Sequence, residues 1–233
     1  MLLRLAVFSL LTLLVLGCDQ NPTTEPLPAP TTTTPNSLAS DTPEKDIIDN
    51  YENTNRVIWQ KPDMVLQMLG DISDKTVADI GAGKGFFTMR LAPKVKKIVA
   101  IEINPVFTDY LDSIKRIELP EQLQSRLETR LVTPKDPGLD PNEADVVMIV
   151  NTFMYLKDPL GYVRGILNDL PPGGRLLIID FKRKRTTIGP KQEERVPLYQ
   201  AEELLYEAGF ETVFANDTAL DYQYILIGTK GEE

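Results

Sequence analysis

One stretch constrains this chain more than any other: Val77-Ala78-Asp79-Ile80-Gly81-Ala82-Gly83-Lys84-Gly85-Phe86-Phe87. An apolar run ends in an acid and passes into three alternate glycines, and a helical pattern follows. Glycine lets a backbone turn tightly and lets another group approach where a Cβ would collide. The N–H groups opening a helix lack intrahelical partners and face whatever sits before them. The expected unit is a strand, a tight turn and a helix from about Gly85 to Leu91, set in an α/β sheet with a small-molecule site at the turn.

The spacing narrows the ligand. A dinucleotide fingerprint reads G-x-G-x-x-G, but here the third glycine comes one residue early, at Gly85. A P-loop needs a glycine five residues before Gly83 and a Ser or Thr after the lysine; position 78 is Ala78, and Lys84 is followed by Gly85. Both phosphate cradles fail, leaving D-x-G-x-G-x-G. About twenty residues on, Lys97-Ile98-Val99-Ala100-Ile101-Glu102 reads as a buried strand ending in an acid, the distance at which a carboxylate reaches a ribose. Glu102 points to a nucleoside ligand without choosing its class.

Composition excludes several chemistries. The chain has 233 residues, 42% of them hydrophobic, enough for one domain with appendages. A formal charge of −9 opposes binding to a phosphate backbone, so no nucleic-acid partner is expected. The sequence has no histidine and one cysteine, which removes His-based general base chemistry, most zinc sites and a disulfide framework; no metal is expected.

That cysteine, Cys18, has its own context. Arg4 precedes an apolar run from Leu5 to Leu16, too short to span a bilayer comfortably, followed by Gly17-Cys18. Val15-Leu16-Gly17-Cys18 resembles a bacterial lipobox, which implies a signal peptide over 1–17, cleavage before Cys18 and a lipid on that residue. Asp19 resembles an inner-membrane retention signal, so the expected location is the cell envelope, on the periplasmic side of the inner membrane. Residues 18–45 are rich in Pro and Thr and poor in large apolar groups, a composition that cannot fold alone and reads as a tether. The globular domain is expected over 46–233.

Within it, Pro62 fits the first turn of a helix carrying Met64, Val65, Met68 and Leu69. Strands are expected at Thr76–Ile80, Ile98–Ile103, near Arg126–Val132, at Asp145–Val150 and at Arg175–Phe181. Asn104-Pro105 opens a helix with Phe107, Tyr110, Leu111 and Ile114 on one face, and Asp158 caps another. A helix through Leu198–Ala208 stops at Gly209, and strands near Glu211–Ala215 and Tyr222–Thr229 close the chain. Alternating strands and helices ending in a hairpin predict a mostly parallel sheet with an antiparallel last strand and helices on both faces.

From about Tyr51 onward the sequence resembles the class I S-adenosylmethionine-dependent methyltransferases, in a bacterial, lipoprotein-like branch. The resemblance rests on Arg56 to Pro62, Asp79 to Phe87, Asn151-Thr152-Phe153, Leu170 to Arg175, Ile179-Asp180-Phe181 and Tyr222-Gln223-Tyr224. It implies a Rossmann-like seven-stranded sheet in the order 3-2-1-4-5-7-6, with S-adenosylmethionine across the carboxyl ends of strands one, two and four. Asp79, Gly81, Gly83 and Gly85 would then hold the methionine end, Glu102 the ribose, and Ile103 and Asp136 the adenine. Asn151 would lie beside the reactive methyl. Asn151, Tyr155 and Asp180 are the candidates on the catalytic, acceptor side. Trp59 and Gln60 would close the pocket, with Arg195 and Tyr199 in a covering segment. Where the pattern of this branch has histidines the chain has Met154 and Tyr155, and Lys84 replaces a threonine. The implied activity is methyl transfer to an unidentified acceptor, a small molecule favoured. The alternative is a non-catalytic envelope lipoprotein that keeps the fold; a nicotinamide oxidoreductase is opposed by the glycine spacing. The Lys182-Arg183-Lys184-Arg185 run reads as a solvated loop or as a contact for anionic groups.

Overall fold

The computed structural model describes residues 55–232. The signal peptide, lipidated Cys18 and tether expected from the sequence, and residues 46–54 of the expected domain, lie outside the described residues.

The chain enters through two short helices, α1 (Arg56–Gln60) and α2 (Pro62–Met68), separated by Lys61 at φ 44°. Pro62 stands at the start of α2, where its missing N–H costs nothing. There follow β1 (Thr76–Ile80), α3 (Thr88–Leu91), β2 (Lys97–Glu102), α4 (Pro105–Glu118), α5 (Glu121–Gln124), β3 (Leu127–Leu131) and β4 (Val146–Val150). Then come α6 (Pro159–Asp169), β5 (Arg175–Phe181), α7 (Leu198–Ala208), β6 (Thr212–Asn216) and β7 (Gln223–Thr229).

The strands form a seven-stranded sheet in the order β3-β2-β1-β4-β5-β7-β6, parallel except for β7, which runs against both β5 and β6. The fold class and strand order match those expected from the sequence. Alternation sorts each strand between two cores: Val146, Met148 and Val150 pack with Leu91 and Leu111 on one face, Val147 and Ile149 with Val163, Ile166 and Leu205 on the other. β4, at the sheet's centre, is buried along its whole length, which is why its sequence is uninterrupted apolar. Truncating Met148 to alanine there is worth about 2–5 kcal/mol.

Local signals set the ends. The Asn104 side chain accepts from Val106 N–H to cap α4, and Asp158 accepts from Gly161 N–H at 3.0 Å to cap α6. A Cβ on residue 161 would stand 2.3 Å from the Asp158 carboxylate, so the glycine that weakens the helix makes room for its cap. Gly209 ends α7 at φ 111°.

Two expectations need correction. The helix after the glycine turn is shorter than expected: Gly85 sits at φ 81°, outside helical space, and α3 begins only at Thr88. Tyr110 does not face the core of α4; it is 40% exposed, and Thr108 takes the inward place.

Candidate functional site

The carboxyl ends of β1, β2 and β4 surround a cavity of about 400 Å³, within the range of small-molecule sites. Residues 80–84 form one wall, 101–104 a second and 150–152 a third. Val132 and Pro134 after β3, Phe107 of α4, Tyr162 of α6 and Tyr155 and Leu156 complete it, with Arg56 and Phe86 at one side.

The three glycines of the turn serve three different ends. A Cβ at Gly81 would lie 2.2 Å from Thr152 Oγ1, so this glycine lets β1 and the segment after β4 touch. A Cβ at Gly85 would lie 2.6 Å from Leu111, so this one seats α4 against the turn. Gly83 has nothing within 4 Å of where its Cβ would be: a side chain there would project into open space. Gly83 and Gly81 line the cavity, whereas Gly85 stands behind it.

Glu102 ends β2 in the cavity wall. Its Oε1 accepts from Gly83 N–H at 2.6 Å and its Oε2 from Ile103 N–H at 3.0 Å. Burial raises its pKa, and those backbone N–H groups pull against that rise. Asn104 N–H also bonds this carboxylate, and what acceptor capacity the backbone leaves on its two oxygens faces the cavity. Ile103, 57% exposed at the cavity edge, offers an apolar face beside it.

Asp79 is placed differently from the sequence expectation. It is buried beneath the turn and accepts from Thr88 Oγ1 at 2.7 Å, so it braces the turn from below and forms no part of the wall. Burial pushes its pKa up to about 6. Asp136 also lies outside the wall. Its carboxylate turns back to accept from Gly138 N–H, and Val132 and Pro134 occupy that side instead.

Asn151 follows β4 at φ 57°, a left-handed conformation that asparagine tolerates better than most residues. It lines the cavity, and its Oδ1 accepts from Gln223 Nε2. Tyr155 lines the cavity at 42% exposure. Asp180 does not reach it: fully buried at the end of β5, it accepts from Met154 N–H at 3.1 Å and from Phe181 N–H at 2.7 Å. It fixes the loop that carries Tyr155, and burial pushes its pKa up to about 7. Its part is to position that loop.

The N-terminal side closes through a residue that sequence reasoning passed over. Arg56 lines the cavity, while Trp59 packs against Phe181 and Tyr222 at 5.7 and 6.4 Å between ring centres, and Gln60 is buried behind the wall. Arg195 and Tyr199 lie outside the wall as well. Arg195 is buried, donating to the carbonyls of Lys182, Lys184, Ile188 and Pro190, so it ties the basic loop together. Gln223 was visible only as part of a motif; the antiparallel pairing of β7 with β5, which sets Gln223 opposite Phe181, is what brings it to the site. Among the described residues no cluster of His, Cys, Asp or Glu could hold a metal.

Comparison with known proteins places this geometry. Residues 78–178, which span the turn, Glu102 and β4, match the family described as Methyltransferase domain. The crystal structure of a SAM-dependent methyltransferase from Aquifex aeolicus superimposes with a TM-score of 0.71 over 81% of this chain and 98% of that one, at 23% identity. The fold is thus the Rossmann-like methyltransferase fold. Ribosomal RNA small subunit methyltransferase A of Koribacter versatilis is 32% identical over 101 residues, 39% of this chain and 35% of that protein. Demethylmenaquinone methyltransferase of Tropheryma whipplei is 24% identical over 149 residues, 60% of this chain and 58% of that protein. The matches therefore span between about a third and three-fifths of these two relatives' own lengths.

Proposed function

We propose that the chain is an S-adenosylmethionine-dependent methyltransferase. The observation that carries this reading is the cavity at the carboxyl ends of β1, β2 and β4, where the Glu102 carboxylate is held by Gly83 N–H and the Cβ position of Gly83 meets open space. The residues present suit the cofactor. Glu102 would accept from the ribose hydroxyls, Ile103 would pack on the adenine, and Gly81 and Gly83 would let the methionine end lie against the backbone. The bound cofactor supplies an electrophilic methyl on a good leaving group. What remains for the protein is to align the acceptor with that methyl and to exclude water. Tyr155, Leu156, Tyr162 and Val132 give the cavity apolar walls for the second task.

The acceptor is not inherited from the relatives, whose names point to ribosomal RNA in one case and demethylmenaquinone in the other. The charge of −9 favours a small molecule over nucleic acid. The reading includes a lipid on Cys18 and a place on the periplasmic side of the inner membrane, supported by Val15-Leu16-Gly17-Cys18 and Asp19. A second reading, a non-catalytic envelope protein keeping this fold, draws on Met154 and Tyr155 standing where the resemblance implies histidines. Calorimetric titration with S-adenosylhomocysteine tests the site, with one-to-one binding expected; no heat and no thermal shift would overturn the proposal. Release of S-adenosylhomocysteine from S-adenosylmethionine in the presence of envelope extract separates the enzyme from the mere binder.

A further inference from the structure

Four side chains from three parts of the chain join behind the cavity wall. Arg56 Nε donates to Gln60 Oε1 at 2.6 Å, Gln60 Nε2 donates to Gln223 Oε1 at 3.0 Å, and Gln223 Nε2 donates to Asn151 Oδ1. An amide can face either way, but a guanidinium has only donors. Arg56 therefore sets the direction of the whole series. Gln60 must turn its oxygen to Arg56 and its nitrogen onward, and the same choice passes through Gln223 to Asn151. The last amide is left with its oxygen engaged and its Nδ2 buried without a partner. Asn151 is 6% exposed and lines the cavity. A buried amide nitrogen with no acceptor costs about 1–3 kcal/mol, a cost that a bound oxygen would remove.

We propose that this relay holds Asn151 Nδ2 as a donor of fixed polarity for an oxyanion, and that the methyl acceptor is a carboxylate or a similarly acidic oxygen acid. The inference rests on the methyltransferase reading above. A donor at the end of β4 has nothing to bind on the sulfonium centre, which lacks an available acceptor, but it suits the oxygen that attacks it; the cofactor's own carboxylate is the competing oxyanion, and saturation with S-adenosylhomocysteine, which carries the same carboxylate, separates the two. The rest of the wall agrees. Its one carboxylate among the described residues, Glu102, is engaged by backbone N–H groups of Gly83, Ile103 and Asn104. The Tyr162 phenol is pushed above its ordinary pKa by burial and keeps its proton. This set serves an acceptor that arrives already ionised. A lone pair of the acceptor oxygen forms the new O–C bond while the S–C bond breaks and leaves its pair on sulfur. The sulfonium and the carboxylate become a neutral thioether and an ester, and no proton moves.

Gln60 does not line the cavity, so its substitutions test the relay at a distance. In Gln60→Glu the side chain still accepts from Arg56 but cannot donate to Gln223. Gln223 then turns to donate, its oxygen faces Asn151, and Asn151 presents its own oxygen to the cavity. Gln60→Met breaks the series without reversing it. The experiment titrates benzoate into the full chain saturated with S-adenosylhomocysteine, by calorimetry, for the native protein and both variants. It also follows the Asn151 side-chain amide by ¹H–¹⁵N NMR, assigned from its loss in Asn151→Asp. The expected result is saturable benzoate binding to the native complex with a shift of the Asn151 amide. Gln60→Glu should weaken benzoate at least tenfold and Gln60→Met about threefold or less, with S-adenosylhomocysteine affinity nearly unchanged in both. Equal losses in the two variants, or an unmoved Asn151 amide at saturating benzoate, would overturn the relay. If Gln60→Glu proves unstable, the native Asn151 shift decides alone. Absence of S-adenosylhomocysteine binding in the native protein would sink the methyltransferase reading itself; its presence without benzoate binding would sink only the oxyanion site.

Discussion

The two halves of the cavity are built by different means. On the β1–β2 side the polar groups find partners close by in sequence or in the backbone: Thr88 lies nine residues from Asp79, and Glu102 accepts from Gly83 and Ile103 N–H groups. On the β4–β5 side the partners are side chains 72 and 163 residues apart, joined only because β7 returns beside β5. The first half is a backbone cradle, stiff and tied to one short motif. The second is a side-chain relay, whose polarity depends on a residue at the domain's N-terminal edge. A backbone cradle suits a ligand that never changes. A relay of side chains can be altered one residue at a time, and that is where acceptor choice can vary.

The sharpest break in this contrast comes from the turn. Gly81→Ala puts a methyl 2.2 Å from Thr152 Oγ1 at φ 74°, so both the strand contact and the backbone angle suffer. The expected outcome is a hundredfold or greater loss of S-adenosylhomocysteine affinity, about 2.7 kcal/mol, with a marked fall in melting temperature. Gly83→Ala meets open space, so its folding cost is limited to about 1–2 kcal/mol of left-handed strain. Its affinity should nonetheless fall about thirtyfold, because the methyl enters the ligand's space. Calorimetry and thermal melts on the pair separate the two. An unaffected affinity in Gly83→Ala would mean that no ligand lies against that turn.

Glu102→Gln probes the same half more gently. The amide nitrogen of the glutamine would face one of the two N–H groups now bonded to the carboxylate, and one ribose acceptor would be lost. About a tenfold loss of S-adenosylhomocysteine affinity is expected, with less effect on 2′-deoxyadenosine analogues that cannot use both oxygens. An equal loss for both ligands would show that the carboxylate serves only to hold the turn.

These two halves also differ in how far the sequence reveals them. Strands β1 and β5 were legible to the residue, because apolar runs bounded by glycine, proline or an acid leave little choice of length. The place of Glu102 and Gly83 in the cavity wall was legible because strand, acid and glycine spacing carry the geometry with them. Asp79 was singled out, but its spacing could not say that its carboxylate turns under the loop toward Thr88 instead of into the cavity. Asp180 is a candidate for the acceptor side by resemblance; its carboxylate accepts instead from the adjacent Phe181 N–H and from Met154 N–H, the latter a tertiary contact that no local pattern encodes. Gln60 and Gln223 are ordinary glutamines until the antiparallel last strand sets them together.

Asp180 gives that second half a pH signature. Its carboxyl ordinarily titrates at 3.8 and is pushed up to about 7 in the fold, mainly by burial. Between those values the folded chain holds a proton that the unfolded chain has released. Stability therefore falls as pH rises from about 4 to 7, by on the order of 2–4 kcal/mol at most from this group. Asp79, raised to about 6, adds a smaller slope of the same sign that ends earlier. Asp180→Asn removes the larger part. Urea unfolding at pH 4.5 and 7.5 should show a clear loss of stability in the native protein and less than half of that loss in the variant. Equal slopes would mean that Asp180 is already ionised at pH 4.5.

The smallest effect lies where the halves meet. Phe86 belongs to the glycine turn, yet the Arg56 and Arg90 guanidinium groups each stand 4.1 Å from its ring centre. Arg56 is also the head of the relay, so one ring joins the cradle to the side-chain series. A partly exposed cation–π contact is worth about 0.5–1 kcal/mol, and Phe86→Leu keeps the apolar bulk while removing the face that attracts both cations. The expected change is a two- to fivefold loss of S-adenosylhomocysteine affinity with little change in melting temperature. If the halves are coupled through Arg56, the same substitution should weaken benzoate in the saturated complex by a similar factor, because a loosened Arg56 no longer enforces the orientation of Gln60. If they are independent, S-adenosylhomocysteine affinity will fall while benzoate binding to the saturated complex stays as it was, and the polarity of the relay must then be held by Gln60 and Gln223 without help from the turn.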